Sequence, residues 1–478
     1  MMTLRLTALA AAVAATLAGC AVGPDYKRPD STLPGEYKEA PTAGDTTTPV
    51  AAPVAVDWWK SFNDPQLDTL VEQALKDSYD IRIALARVDQ AEALVRQANA
   101  ALFPEVDVNG AATRSKTSPL GPNGARAGIG NDFRLNVATV SYELDFWGKY
   151  RRTREAAIAL AQGSRYAHDT VRLSVAGAVA ATYISLRSAE AQIVATQASL
   201  ETRDSALKIA QRRYDSGSTS RLDVEQASTQ RATAAAQLSR LTQSRDLFAN
   251  QLALLVGVPD LTVPEGKLLE LPIPQTPPVG LPSSLLDLRP DVAQAEQQLV
   301  STNARIGVAK AALYPSISLT GLLGVESVDL SNLFKSGAQV WSAGAALNLP
   351  IFDAGRRFAA VDQSEAVQRE ALETYRKTAE TAYREVRDAL VTLRQTAITE
   401  EHLTQALRSA QNAERISRAR YEAGSAAFLE LLDAQRSVND ARILALTARE
   451  NRLNASISLY KALGGGWVNP EKQVASSK

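Results

Sequence analysis

The stretch Ser316-Ile317-Ser318-Leu319-Thr320-Gly321-Leu322-Leu323-Gly324-Val325 decides the fold. Ile317, Leu319, Gly321, Leu323 and Val325 fall on one face of a strand, with Ser316, Ser318, Thr320, Leu322 and Gly324 on the other. A following segment repeats the pattern, Trp341, Ala343, Ala345, Leu347 and Leu349 alternating with Ser342, Gly344, Ala346 and Asn348. One apolar face backed by a small or polar one is the pattern of membrane strands with lipid outside and a wet lumen inside. A weaker version lies upstream, where Leu135 and Val137 share a face opposite Arg134 and Asn136 before the pattern blurs near Tyr142. The same alternation also suits a sheet with one face on a soluble core, so the strands alone leave both architectures open.

The N-terminus favours the membrane. Arg5 precedes an apolar run from Leu6 to Ala18 that is too short to span a bilayer, which takes about 20 residues. It reads as a signal peptide over 1–19. The run ends in Leu17-Ala18-Gly19-Cys20, which resembles a bacterial lipobox, with cleavage before Cys20 and diacylglycerol on its thiol. Ala21 follows rather than the aspartate that marks inner-membrane retention in many lipoproteins, which favours the outer membrane. No later stretch is long and apolar enough for a spanning helix, so any crossing must use strands in a closed barrel.

Composition excludes several other classes. The 478 residues carry 52 basic and 52 acidic side chains, a formal charge of zero that gives nucleic acid no electrostatic hold. Cys20 is the sole cysteine, the histidines are His168 and His402, and the methionines are Met1 and Met2, so one chain cannot assemble a His/Cys metal cluster. No cofactor is expected beyond the covalent lipid. Neither a G-x-S-x-G elbow nor a phosphate loop is present, so nothing points to an enzyme.

The chain reads as one unit used twice. After an acylated extended segment, 20–63, the first repeat spans 64–258: a helix from about Pro65 to Leu102, a β-hairpin over 105–146 and a long helix hairpin over 149–256. A proline-rich connector, 259–286, leads to the second repeat, 287–463, with its hairpin over 316–351 and its helices over 355–463, before a tail at 464–478. Leu102-Phe103-Pro104 is echoed by Leu313-Tyr314-Pro315, and Arg213-Tyr214-Asp215-Ser216-Gly217 by Arg420-Tyr421-Glu422-Ala423-Gly424. Gly217 and Gly424 are placed to close a helix in the left-handed conformation, with serine and aspartate beyond them to cap the next helix.

The helices carry a seven-residue stripe of Val179, Leu186, Ile193, Leu200, Leu207 and Tyr214, which implies left-handed supercoiling against neighbours. In the second repeat the stripe becomes Val386, Leu393, Glu400, Leu407, Glu414 and Tyr421, interrupted by two glutamates. At about 1.5 Å per residue, a helix from Lys149 to Tyr214 is roughly 100 Å long, suited to bridging a periplasm.

Four strands per chain cannot close a barrel, since single-chain barrels start at about eight, and an open edge in lipid leaves backbone groups unpaired. Two chains pool eight strands around a filled interior, whereas three pool twelve and leave room for a lumen. A homotrimer is therefore expected, its tips contributing twelve helices to a hollow cylinder.

Several stretches together resemble the outer-membrane factors of resistance-nodulation-division efflux systems, the TolC/OprM type. They are Gly23-Pro24-Asp25-Tyr26, Trp58-Trp59-Lys60-Ser61-Phe62-Asn63-Asp64-Pro65, Leu288-Arg289-Pro290-Asp291-Val292, Leu313 to Gly321, and Gly464-Gly465-Gly466-Trp467. The resemblance implies a mixed α and β membrane protein, a trimeric twelve-stranded β-barrel continuous with a twelve-helix coiled-coil α-barrel. Its implied partners are a periplasmic membrane-fusion adaptor and an inner-membrane proton-driven pump. Its implied function is an exit duct in the outer membrane, extending into the periplasm and passing small molecules such as drugs. The resemblance places a periplasmic gate at Leu429 and Asp433, on one helix face, where three Asp433 carboxylates near an axis would repel and favour cations or protons. It places adaptor contacts at Arg213, Gly217, Ser218, Leu222 and Asp223 on one tip, and at Arg420, Gly424, Ser425 and Leu429 on the other.

A protein-secretion duct shares this fold, and the lipobox and Trp58-Trp59 segment favour efflux over it. An adaptor lipoprotein needs one helical hairpin and no membrane strands, whereas two of each are legible here. The mass of the intact complex by native mass spectrometry should correspond to three chains; a count of two would reject the twelve-strand closure.

Overall fold

The computed structural model describes residues 21–30, 33–37, 54–120, 128–277 and 282–469. Cys20 and the signal segment 1–19 lie outside them. The elements are α1 (Pro65–Asp77), α2 (Tyr79–Ala100), β1 (Glu105–Thr117), β2 (Gly128–Leu144), α3 (Lys149–Asp215), α4 (Arg221–Val256), α5 (Pro290–Ala311), β3 (Ser316–Ser327), β4 (Gln339–Asn348), α6 (Arg356–Glu422) and α7 (Phe428–Ala462). The duplication is borne out in helix lengths: α2 and α5 each have 22 residues, α3 and α6 each 67, and α4 and α7 have 36 and 35.

Two boundaries differ from the expectation. The helix expected from Pro65 to Leu102 is two helices, because Ser78 turns to an extended ψ of 136° and is buried. Asp64 caps α1, its side chain accepting from the Gln66 N–H at 2.9 Å. The second repeat's first helix starts at Pro290 rather than near Asp287. Proline disfavours helical backbone at the residue before it, and Arg289 is extended at φ −116°, ψ 122°.

The chain divides into two compact units, residues 1–30, 88–164 and 295–375 in the first, the remainder in the second. In the first unit the four strands form one antiparallel sheet in the order β1-β2-β3-β4. The segment following Cys20 is strapped onto α3 and α5. The Val22 N–H donates to Trp147 O at 3.0 Å, Asn303 donates to Pro24 O at 2.9 Å, and Arg152 reaches Asp25 at 2.6 Å. Tyr26 and Arg28 both bind Glu296, at 3.1 and 2.8 Å. Glycine permits the close approach, since a Cβ on Gly307 would meet Val22 O at 2.7 Å and the Arg152 side chain at 2.9 Å.

In the second unit Trp58, Phe62, Leu67 and Val71 pack with Val179, Ile184, Leu252, Val256 and Leu453 into an apolar core. Among the described residues the most deeply buried cation is held there by partners. Arg187, 0% exposed, donates to Glu190 at 2.5 Å, Gln66 at 2.8 Å and Pro264 O at 2.7 Å, and lies over the Tyr183 ring at 4.6 Å. Burial opposes its charge, but bonds to Tyr183 and Glu190 prevail and raise its pKa.

The glycine approach yields a test. Overpacking costs about 1–3 kcal/mol, so Gly307→Val should loosen the strap and speed tryptic cleavage after Lys27 about tenfold. Unchanged cleavage kinetics would show that the strap does not depend on this contact.

Candidate functional site: a one-sided apolar sheet and two helix tips

Strand register sets the chemistry of the sheet's faces. Leu144, Tyr142, Val140 and Ala138 of β2 oppose Ile317, Leu319, Gly321 and Leu323 of β3, which in turn oppose Leu347, Ala345, Ala343 and Trp341 of β4. Val106 and Gly110 of β1 extend this face opposite Val140 and Leu135. The other face carries Asp107, Asn109, Arg134 and Glu326, with Arg134 to Glu326 at 3.1 Å and Asn109 donating to Thr139 at 3.3 Å. Trp341, Leu347 and Leu323 are exposed on the apolar side at 78%, 69% and 55%, so no described residue of the chain covers them.

The blurred pattern in β2 has a physical cause. Its pairings shift register between Asn136 and Ala138 against β3, and the shift against β1 falls at the same place, which marks a bulge at Val137. The extra residue reverses the phase, so Leu135 shares its face not with a simple alternation but with Ala138, Val140, Tyr142 and Leu144. β1 and β4 are the outer strands, each with one edge unpaired within the chain. Among the described residues no helix is long and apolar enough to cross a membrane.

The second unit holds the tips. Both helix ends close identically: Gly217 and Gly424 have φ 73°, their N–H groups donate to Tyr214 O and Tyr421 O at 2.9 and 3.0 Å, and the Ser218 and Ser425 N–H groups reach Arg213 O and Arg420 O at 2.7 and 2.9 Å. This Schellman closure satisfies the last helical carbonyls and demands glycine at the left-handed residue. Serine and aspartate do not cap the following helices as expected. The N-cap of α4 is Ser220, without a side-chain bond, Asp223 instead accepts from Thr219, and the N-cap of α7 is Ala427. The tips meet where Arg213 donates to the Tyr421 hydroxyl at 2.6 Å and covers its ring at 4.7 Å. Arg420 reaches Glu430 at 2.5 Å. Leu222 and Leu429 hold equivalent places after the two tips and are both exposed, at 62% and 58%.

Asp433 follows Leu429 by one turn of α7 and is exposed, but it has a counter-charge, since Arg436 donates to it at 2.6 Å. Asp433 is therefore not a bare carboxylate, and its partner lies one turn further along the same helix. The interruptions of the heptad stripe are likewise ion pairs. Glu400 binds Arg449 at 3.1 Å and Arg452 at 2.8 Å across to α7, whereas Glu414 binds Arg418 on its own helix at 2.5 Å. The Arg449 and Arg452 partners lie some fifty residues downstream, beyond any local pattern.

A sheet apolar on one side and helix hairpins tens of residues long define a membrane conduit of the outer-membrane channel class. The model of the outer membrane efflux protein family matches residues 70–258 and 281–465, two blocks, one in each half of the chain. The chain belongs to this family. It is 32% identical to the probable efflux pump outer membrane protein TtgC of Pseudomonas putida, covering 99% of this chain and 98% of that protein. It is 36% identical to the pyoverdine export outer membrane protein OpmQ of Pseudomonas aeruginosa, covering 87% and 89%. The Campylobacter jejuni CmeC outer membrane channel superposes with a TM-score of 0.86 at 27% identity, covering 96% of this chain and 98% of that one.

The interhelix ion pair is testable. Glu400→Gln leaves two partly buried guanidiniums without a carboxylate, and should destabilise by about 2–3 kcal/mol, read as a melting temperature several degrees lower. Glu414→Gln, whose partner is on the same helix, should stay within about 0.5 kcal/mol. Equal effects would contradict the assignment.

Proposed function

We propose that this chain is the exit duct of a tripartite efflux system, three copies pooling their strands into a closed twelve-stranded barrel and their hairpins into a twelve-helix tunnel. The observation that carries it is the continuous apolar face across all four strands, bare within one chain and bounded by two unpaired edges. Hydrocarbon covers such a face and only closure satisfies such edges. Twelve strands leave a wet lumen, lined by the face bearing Asp107, Asn109, Arg134 and Glu326.

The chain acts as a passive conduit for small molecules such as drugs and has no catalytic role. The names of its relatives support efflux cargo over secreted protein. A diacylglycerol thioether on Cys20 anchors it. In support, Ala21, the residue that follows Cys20 in sequence, lies against Gly148, four residues beyond the end of β2. The adaptor docks on the tips, where Arg213, Gly217, Ser218, Leu222, Arg420, Gly424 and Ser425 are exposed and Asp223 is half-buried beside them. The inner-membrane pump couples through that adaptor.

Leu429 and Asp433 form the resting gate, with Arg436 as the counter-charge that keeps three carboxylates compatible near the axis. In planar bilayers the purified protein should form small channels, and Leu429→Ala with Asp433→Ala should raise single-channel conductance severalfold. Unchanged conductance would reject the gate. An absence of channels in both proteins would reject the conduit.

A further inference from the structure

Away from the tips, the second unit contains a crevice whose lining has more positive charge than it can neutralise. It has a volume of about 170 Å³ and lies among one face of α3 (Ser199, Thr202, Arg203), one of α6 (Glu414, Arg418) and one of α7 (Gln435, Asn439, Arg442). One water requires about 10–15 Å³, so the space admits a tetrahedral ion with its remaining hydration.

Three guanidiniums face one carboxylate. Arg418 takes Glu414 as its partner at 2.5 Å. Arg203 is 5% exposed, and its one hydrogen bond among the described residues is to a neutral acceptor, Gln230 O, at 2.7 Å. Arg442 is half-buried and makes no ion pair or hydrogen bond among the described residues. Among the described residues neither Arg203 nor Arg442 is thus bonded to a carboxylate, and for the buried Arg203 this costs several kcal/mol unless an anion meets it. Burial lowers the Arg203 pKa, with Arg436 adding to the effect and Asp440 opposing it, so the acids nearby do not satisfy this group. By contrast, the buried Arg187 has its carboxylate at 2.5 Å.

The neutral groups fit the same ligand. The Gln435 Oε1 is buried without a partner, and a half-turn of the amide aims its NH₂ inward instead. The Ser199 hydroxyl lines the crevice as a further donor, while Thr202 is already bonded to Ala198 O at 3.0 Å.

We propose that this crevice binds a small oxyanion, of the sulfate, phosphate or carboxylate class, between the forked guanidiniums of Arg203 and Arg442. Planar guanidinium forks match such oxygens in pairs, and three cationic linings repel a metal ion. A bound anion ties α3 of the first hairpin to α6 and α7 of the second, stabilising their packing. The site stands independently of the conduit reading, because it rests on the crevice and not on transport.

The test uses the full acylated protein in detergent, titrated with sodium sulfate against sodium chloride at constant ionic strength. Sulfate should raise the melting temperature saturably, and calorimetry should give a matching binding isotherm. Arg442→Gln should weaken binding about tenfold or more, Arg203→Gln should abolish it, and Glu414→Gln, which removes the one lining acid, should strengthen it. Should Arg203→Gln fail to fold, the half-buried Arg442 variant and Glu414→Gln carry the test in opposite directions. Stabilisation that does not saturate, or that is the same in Arg442→Gln, would be general salt exclusion and would overturn the site. So would an experimental structure of the assembly with a neighbouring chain's carboxylate seated between Arg203 and Arg442. Crystals soaked in selenate should show an anomalous peak between these two side chains, and an empty crevice there would also reject the proposal.

Discussion

The backbone of a β-strand must be hydrogen-bonded on both sides when no water is available, and this sheet meets that demand within the chain only for its inner strands, β2 and β3. β1 and β4 each keep an open edge, and one face of all four strands is apolar and uncovered. Everything else in the molecule is consistent with a chain made to be completed by others. An open edge of this kind in water invites aggregation, and in lipid it costs several kcal/mol for each unpaired group. The proposed trimer removes both problems at once, by closing the edges and giving the apolar face to hydrocarbon.

Duplication explains how one chain supplies matching halves of such a structure, and its exceptions show where the halves differ. The lengths of the paired helices agree to within a residue, and the two tips close through the same backbone bonds at the same φ. The side chains between them do not follow. Where α3 carries Ile193, α6 carries Glu400, and its two arginine partners on α7 make that contact polar and directional. The second hairpin is thus joined across its two helices by charge at a place where the first carries an aliphatic side chain. Leu429, Asp433 and Arg436 all belong to it.

The N-terminal strap is part of the folded first unit. Glu296, Asn303 and Arg152 bind four of the five residues from Pro24 to Arg28, and Gly307 is small enough to let the chain lie flat. The chain from Ala21 to Arg28 is thereby held against α3 and α5 of the sheet-bearing unit. This is a structural role for Gly23-Pro24-Asp25-Tyr26, a stretch that on its own looks like a linker.

The sequence by itself determined the strands and their apolar face, the repeat, the long helices and the glycines that end them, because each rests on a period or a residue type that acts locally. Alternation by two marks a strand face wherever it occurs, and a glycine three residues after an Arg-Tyr pair can close a helix without outside help. Only the tertiary structure decided the bulge at Val137, the break at Ser78 and the partners of Glu400, Asp433 and Arg187. A bulge depends on the register of two neighbouring strands, and the fate of a charge depends on which distant side chain reaches it. The two arginines of the crevice are the extreme case: in the sequence Arg203 and Arg442 are two among many basic residues, and only the packing of three helices buries the first and half-buries the second with no carboxylate bonded to either among the described residues.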